Sequence, residues 1–449
     1  MGDASASART TQSIASFEAA ARPIAGTENV RSARDSDSVA GVQPSLIVSP
    51  RDETQLAQIL KAANDASLVV IPRGGGTKRA WGNPPQRADV ILSTARLNAV
   101  VEHAHADLTV TVEAGCTLKN LAETLASQNQ RLALDGLWPS RATVGGILST
   151  NDSGALRLRF GSLRDLVIGI TLALPDGTLA KSGGKVVKNV AGYDLPKLVT
   201  GALGTLGVIT QATFRLHPAP RDSRTVSCLA RDARDAQRLV LAIQDSKLAH
   251  SALQIRFVES MQPQLDVLFE ATEAGCSAQV DQLKKLLAPT NVIESGPAVW
   301  NARQELYSEA TSGLAEMGRS SAAPVHDRAG AATAALAKIS VLPAQIAEAY
   351  EVIATAGANR TRFNAVFYAI GIATIYLAGS PDDLGATLKD LRGKIESLGG
   401  SLVIAHRPDA MPPFDAWGNA GDALALMRAV KQQFDPKSTL NPGRFVGGI

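Results

Sequence analysis

Apolar residues at Leu56, Ile59, Leu60 and Ala63 recur at the spacing of one helical face, so RDETQLAQILKAAND predicts an amphipathic helix. Ser49 is its expected N-cap, with Pro50 in the first turn and the acids Asp52 and Glu53 at the start. The pattern then changes to the unbroken apolar run LVVIP, a short strand, which is followed at once by Gly74, Gly75 and Gly76. LVIGITLAL predicts another strand, and Pro175-Asp176-Gly177 after it is a hairpin signal. The longest apolar stretch, Ala365 to Ala378, is split by Gly371 and crowded with aromatic and β-branched residues. It is shorter than the roughly 20 residues of a membrane span and predicts two adjacent core strands.

From Lys338 the pattern runs KISVLP, AQIAEAYEVIATAG, FNAVFYAI, IATIYLAG, PDDLGATLKDLRGKIESLGG and SLVIAHR. Strand, helix, strand, strand, helix, strand is the ferredoxin-like order. TVSCLA, DARDAQRLVLAIQD and ALQIRF suggest a related unit between 225 and 290, whereas 291–335 read as mostly helical and unspecific. LHPAPRDSRT, residues 216–225, interrupts the pattern with two prolines and three charges, which sets a domain boundary there. The opening MGDASASARTTQSIASFEAAARP has neither the basic nor the apolar region of a secretory signal, and Asp3 and Glu18 weigh against a transit peptide. Residues 1–40 are expected to form a flexible tail.

Composition narrows the function. A chain of 449 residues with 45% hydrophobic and 19% charged residues buries a sizeable core and is not disordered. Lys and Arg total 45 against 42 Asp and Glu, with no clustered basic face, so a nucleic-acid partner is not expected. Cys116, Cys228 and Cys276 stand far apart, which excludes a disulfide framework, an iron–sulfur site or a structural zinc site built by this chain alone. A reducing, cytoplasmic compartment with no integral membrane segment is the expectation.

Candidate chemistry lies in the glycines. Three in a row after a strand let backbone N–H groups converge on phosphates without interference from Cβ atoms. Neither Gly74–Thr77 nor Gly183-Gly184-Lys185-Val186 supplies the spacing of a Walker A loop, and Arg79 stands where a dinucleotide fingerprint needs glycine. Gly201, Gly204 and Gly207 also have the wrong spacing. Nicotinamide and nucleoside-triphosphate readings therefore fall. Gly145-Gly146 and the stretch SGGKVVKNVAGYDLPKLVTGALGTLGVIT form two further strand-linked glycine wraps, and three such wraps are hard to explain by packing alone.

Taken together, PRGGGT, VEAG (Val112–Gly115), ATVGG (Ala142–Gly146), RFGSLRDLV (Arg159–Val167), KNVAGYDL (Lys188–Leu195) and GTLGVIT (Gly204–Thr210) resemble, in order and spacing, one known domain. It is the FAD-binding domain of the vanillyl-alcohol oxidase/p-cresol methylhydroxylase (PCMH-type) family. FDPKSTLNPGRF (Phe434–Phe445) resembles the C-terminal signature of its FAD-linked 2-hydroxyacid dehydrogenase branch, and the resemblance is greatest to the smaller of the two FAD-binding subunits of bacterial glycolate oxidases. The resemblance implies an α+β chain. A PCMH-type FAD-binding domain of two α/β subdomains would occupy 41–220, an α+β ferredoxin-like cap 221–430, and a segment returning to the FAD domain 431–449. It implies non-covalent FAD, since Thr77 stands where covalent members place a histidine. It implies that Arg73, Gly74, Gly75, Gly76 and Thr77 cradle the pyrophosphate. Pro139, Ser140, Thr143, Gly145, Gly146, Asn151 and Gly154 would line the other side of the cofactor, and Val208 would touch it through its backbone.

The implied activity is oxidation of a small 2-hydroxyacid, glycolate to glyoxylate, alongside a larger flavoprotein subunit and an iron–sulfur subunit, in the cytoplasm or peripherally at the inner membrane through those partners. A self-sufficient D-2-hydroxyacid dehydrogenase and a non-catalytic electron-relay subunit are the alternatives. The H-x-G-D-G-N-x-H motif of the stand-alone members is missing, since RFNAVFYAIGIATIYLAG has no histidine, and no catalytic residue is assigned. His406-Arg407 ends a strand before a proline-rich loop and would suit a hydroxyl proton acceptor beside a carboxylate clamp, although a packing role is the plainer account. His103-x-His105 is an incomplete metal pair, His217 a boundary residue, Tyr193-Asp194 as plausibly packing as catalysis, and Lys181, Lys185 and Lys188 a solvated cluster. No metal is expected.

Overall fold

The computed structural model describes residues 2–185, 193–312, 333–358 and 360–449. The chain divides into two compact units, one of Met1–Ser153, Gly161–Ala219 and Asn419–Ile449, the other of Gly154–Phe160 and Pro220–Gly418.

The first unit opens with α1 (Gly2–Ala25), where a flexible tail was expected. Phe17, Ala21 and Ala25 fall on one face of it and are buried with Leu56 and Leu60, so the helix is held by apolar contact that a search for an apolar block overlooks. β1 (Val30–Ser32), β2 (Leu46–Val48), α2 (Glu53–Asp65), β3 (Val70–Arg73) and β4 (Val90–Ser93) follow, with sheet order β1-β2-β4-β3 and the last three strands parallel. The N-cap of α2 is Asp52, not Ser49. Its carboxylate accepts from Gln55 N at 2.8 Å, while Arg51 N donates to Gln55 Oε1 at 3.0 Å, and this reciprocal pair fixes the start three residues later than expected.

Next come β5 (Val100–Ala104), β6 (Thr109–Glu113), α3 (Leu118–Ala126), β7 (Gln130–Arg131) and α4 (Val144–Thr150). The short α5 (Arg157–Phe160) belongs to the second unit. Then follow α6 (Leu163–Leu166), β8 (Val167–Ala173), β9 (Leu179–Gly183), α7 (Leu195–Val199), β10 (Val208–Arg215) and β11 (His217–Pro218). The antiparallel order β5-β6-β10-β8-β9 packs one face on a core that includes Leu121, Leu125, Ile147, Leu166 and Phe214. β8 and β9 form the expected hairpin, with Gly177 at φ +87° in its turn.

The second unit holds β12 (Asp222–Leu229), α8 (Ala233–Gln244), β13 (His250–Val258), β14 (Gln264–Ala271), α9 (Glu273–Leu287), β15 (Val292–Ser295) and α10 (Ala302–Ser312). β16 (Thr333–Ser340), α11 (Ile346–Ala356), β17 (Arg362–Tyr368), β18 (Ile372–Gly379), α12 (Pro381–Ser397) and β19 (Ser401–His406) complete it. The eight strands run β15-β12-β14-β13-β17-β18-β16-β19. Each half is a βαββαβ unit with its fourth, first, third and second strands in that order, and the halves meet where β13 pairs antiparallel with β17. One sheet face carries Leu253, Ile255, Val267, Phe269, Ala337 and Ile375 into the helix-covered core. The alternation places Ser227, Gln254 and Asp266 on the other face. There Asp266, fully buried, accepts from Ser227 Oγ at 2.7 Å, Gln254 Nε2 at 2.9 Å and Arg256 Nε at 2.7 Å. Gly371 joins β17 to β18 at φ +80°, with no room for a Cβ, which would sit 2.0 Å from the Val341 carbonyl oxygen.

α13 (Leu424–Phe434) belongs to the first unit, so the return begins at Asn419 and not at 431. Val430 and Phe434 draw it there by packing on the Leu121–Phe214 core.

Candidate functional site

Within the first unit, β3 delivers the chain into Arg73–Thr77, which lines an open cleft. The opposing wall is the first turn of α4, with Thr143, Gly145 and Gly146, followed by Ser149 and Thr150. These loops approach too closely for side chains: a Cβ on Gly74 would stand 2.0 Å from Thr143 Oγ1, and one on Gly75 1.7 Å from the Arg141 carbonyl oxygen. Leu203, Gly204, Gly207, Val208 and Ile209 form a third wall. Among the described residues nothing accepts a hydrogen bond from the backbone N–H groups of Gly74, Gly75, Gly76 and Thr77.

Four cationic side chains line the cleft, Arg73, Lys78, Arg79 and Arg444, and among the described lining residues there is no carboxylate. Arg73 Nη1 is 2.8 Å from Asp37 Oδ1, and Asp37 is also held by Arg31 at 2.9 Å. Burial raises the Asp37 carboxyl, but hydrogen bonds from Arg31, Arg73 and the Arg34 N–H outweigh that and hold it well below the usual carboxylate range. Arg79 donates to the carbonyls of Ser36 and Ser38 at 2.7 and 2.9 Å. Lys78, 3.1 Å from the fully buried Asp152, lies between the rings of Trp81 and Trp138 at 5.8 and 5.6 Å. Burial pushes the Arg444 guanidinium down to about 10, still charged at neutral pH, and it donates to the carbonyls of Arg79 and Trp81, both at 2.7 Å. Four unpaired amides in a cationic, glycine-walled cleft fit the diphosphate of a dinucleotide.

Of the residues assigned to FAD, the cleft gathers Arg73, Gly74, Gly75, Gly76, Thr77, Thr143, Gly145, Gly146 and Val208. Pro139 and Ser140 are exposed in the preceding turn, where the Pro139 carbonyl accepts from Lys119 N at 2.9 Å, and neither lines the cleft. Asn151 ends α4 at φ +47° and does not line the cleft, its Oδ1 buried without a partner among the described residues. Gly154 falls in the second unit. Sequence reasoning missed Val39, Lys78, Ser149, Leu203, Asn441 and Arg444. LNPGR flagged the last two, whereas nothing local marks Val39, which arrives with the Asp37 turn.

The remaining candidates lie elsewhere. His103 Nε2 is bonded to Gln130 Oε1 at 2.9 Å, and no group of three potential metal ligands exists among the described residues. His217 pairs with Arg131 across the β11–β7 bridge. Asp194 caps α7 by accepting from Lys197 N, while Tyr193 is 90% exposed. Lys185 pairs with Glu102, and Lys188 lies outside the described residues. His406 is buried at the end of β19, where burial, opposed by Asp409, lowers its pKa and keeps it neutral, and Arg407 donates to the Phe414 carbonyl at 3.4 Å. Neither residue lines the cleft. No helix among the described residues is long and apolar enough to cross a membrane.

Residues 44–183 match the family model "FAD binding domain", and residues 415–445 match "FAD linked oxidases, C-terminal domain". A glycolate oxidase subunit GlcD of Bacillus subtilis is 28% identical over 434 residues, covering 89% of this chain and 88% of its own length. A D-lactate dehydrogenase of Archaeoglobus fulgidus is 28% identical over 430 residues, covering 89% and 91%. In fold, the chain is similar to p-cresol methylhydroxylase with substrate bound, at a TM-score of 0.71 and 16% identity over 97% of this chain and 96% of the other.

Proposed function

This chain belongs to the FAD-linked oxidoreductases, carrying both their FAD-binding domain and their C-terminal segment, and from that premise we propose that it is the flavin-bearing subunit of a 2-hydroxyacid dehydrogenase complex that oxidises glycolate to glyoxylate. The observation that carries the reading is the cationic, carboxylate-free cleft with its four unpaired loop amides. The relatives named for glycolate and D-lactate share a hydroxyl beside a carboxylate, which points to the substrate class.

Bound FAD supplies a two-electron acceptor for the carbon that bears the hydroxyl. The chain's own residues hold it. Gly74–Thr77 direct N–H groups at the diphosphate, and Arg73 and Arg79, fixed by the Asp37 turn, set the positive potential around it. Thr77 offers no tethering nitrogen, so retention is non-covalent. The scattered cysteines leave any iron–sulfur cluster to a partner chain, and a larger flavoprotein would share the hydroxyacid chemistry. Assignment as the smaller of two flavin-bearing chains rests on the sequence motifs Ser182–Leu198 and Leu440–Ile449.

A second reading, a self-sufficient dehydrogenase, draws on His406, which burial keeps neutral and so able to accept a hydroxyl proton. The purified chain decides between them. Its flavin is expected to appear in the supernatant after acid precipitation and to stay oxidised under anaerobic glycolate or D-lactate until partners are added. Bleaching by the chain alone establishes the second reading. A chain that takes up no FAD overturns both.

A further inference from the structure

The segment after α13 reaches two walls of the cleft at once. Lys431 Nζ donates to Asp435 Oδ2 at 2.6 Å, to the Thr205 carbonyl at 2.8 Å and to the Leu440 carbonyl at 2.9 Å, so all three ammonium protons are used inside the protein. Asp435, fully buried, also accepts from Thr439 N at 2.9 Å and Leu440 N at 2.7 Å. From this knot the chain runs to Asn441, whose Nδ2 donates to the Leu203 carbonyl at 2.6 Å, and to Arg444 on Arg79 and Trp81. Val70 N donates to the Thr439 carbonyl at 2.7 Å, and Asn441 N to the Val70 carbonyl at 3.1 Å, which fixes the strand that feeds the glycine loop.

Replacing a buried ion pair by apolar groups is often neutral or stabilising, so stability alone does not explain this one. Its geometry does. Lys431 and Asp435 line no part of the cleft, yet their bonds set where Leu203–Thr205 stands relative to Val70–Arg79. We propose that Lys431 and Asp435 are positioning residues of a clasp, and that docking of residues 435–444 and binding of FAD form one coupled equilibrium. The proposal rests on the flavin reading of the cleft.

Hydrogen–deuterium exchange on the full chain with and without FAD tests it first. FAD is expected to slow exchange at 436–445 as well as at 74–79 and 201–207. Protection confined to the loops, with 436–445 unchanged, overturns the clasp while leaving the flavin reading intact; a chain that binds no FAD overturns the flavin reading. Lys431→Met and Asp435→Asn are each expected to weaken FAD by on the order of tenfold, within the usual range of coupling between sites. Leu125→Ala, a core truncation on the buried face of α3, is expected to lower the melting temperature comparably without changing FAD affinity. If all three variants lose affinity in proportion to lost stability, Lys431 and Asp435 are merely structural. Should both clasp variants fail to fold, the exchange comparison on the parent chain still decides.

Discussion

Gly75→Ala adds one methyl group to the tightest point of the cleft. Its backbone lies outside the left-handed region, so the substitution introduces contact without dihedral strain. The new Cβ would stand 1.7 Å from the Arg141 carbonyl oxygen, where ordinary contact begins at 3.4 Å, so the two loops must part by about 1.7 Å. Overpacking of this kind costs about 1–3 kcal/mol, and the obstacle here is backbone, which cannot rotate away. The free chain relieves the clash by opening, whereas the bound form needs both walls closed. The cost therefore falls on binding, and at about 1.4 kcal/mol per tenfold it amounts to on the order of 10- to 100-fold in Kd. Titration of the stripped protein with FAD, followed by flavin fluorescence, measures it. Gly296→Ala, whose Cβ meets nothing within 4 Å, serves as the control and is expected to bind as the parent does. A Gly75→Ala protein that binds FAD within threefold of the parent would refute the close-wall account.

Asp37→Asn is expected to destabilise the first unit by about 1.5–3 kcal/mol at pH 7, the usual worth of hydrogen bonds to a charged group. Because the Asp37 carboxyl is depressed in the fold, its contribution is present above the unfolded value near 4 and disappears as pH falls through the folded value. Melting temperatures of parent and variant should therefore converge below pH 2, and a gap that persists there contradicts the ion-pair assignment. All three cysteines are buried, and burial raises each thiol, that of Cys228 to about 11. A thiol reagent at pH 8 should find no fast-reacting group in the native chain and three in denaturant; a fast native thiol would contradict the packing described.

The periodic segments were legible because their apolar spacing is local. The strands on either side of Gly371, the hairpin at Gly177 and the second ferredoxin-like half all follow from residues within one element or its turn. The three glycine wraps were visible as well, since only a close approach of backbones makes three such clusters worthwhile. What the sequence hid was long-range. Nothing near Asp37 says that it will meet Arg73, and nothing near Lys431 says that it will reach Thr205, because such partners are chosen by topology. Pro139 and Ser140, which the resemblance implied, stand exposed in the turn before α4 and outside the cleft lining. Asp52 displaced Ser49 as helix cap because Gln55 completes a reciprocal bond that the pattern of apolar positions does not register.

The parallel bridge between Val70 and Leu440 has a consequence in time. β3 is the outer strand of its sheet, and residues 439–441 cover its open hydrogen-bonding edge. During synthesis Leu440 emerges 370 residues after Val70, which at about 5–20 residues per second is on the order of 20–70 seconds. Through that interval the nascent chain presents an unpaired strand edge beside an unfinished cleft, the kind of surface on which chains join one another. Pro72 at the end of the strand and the cationic loop beyond it blunt that edge until its late partner arrives.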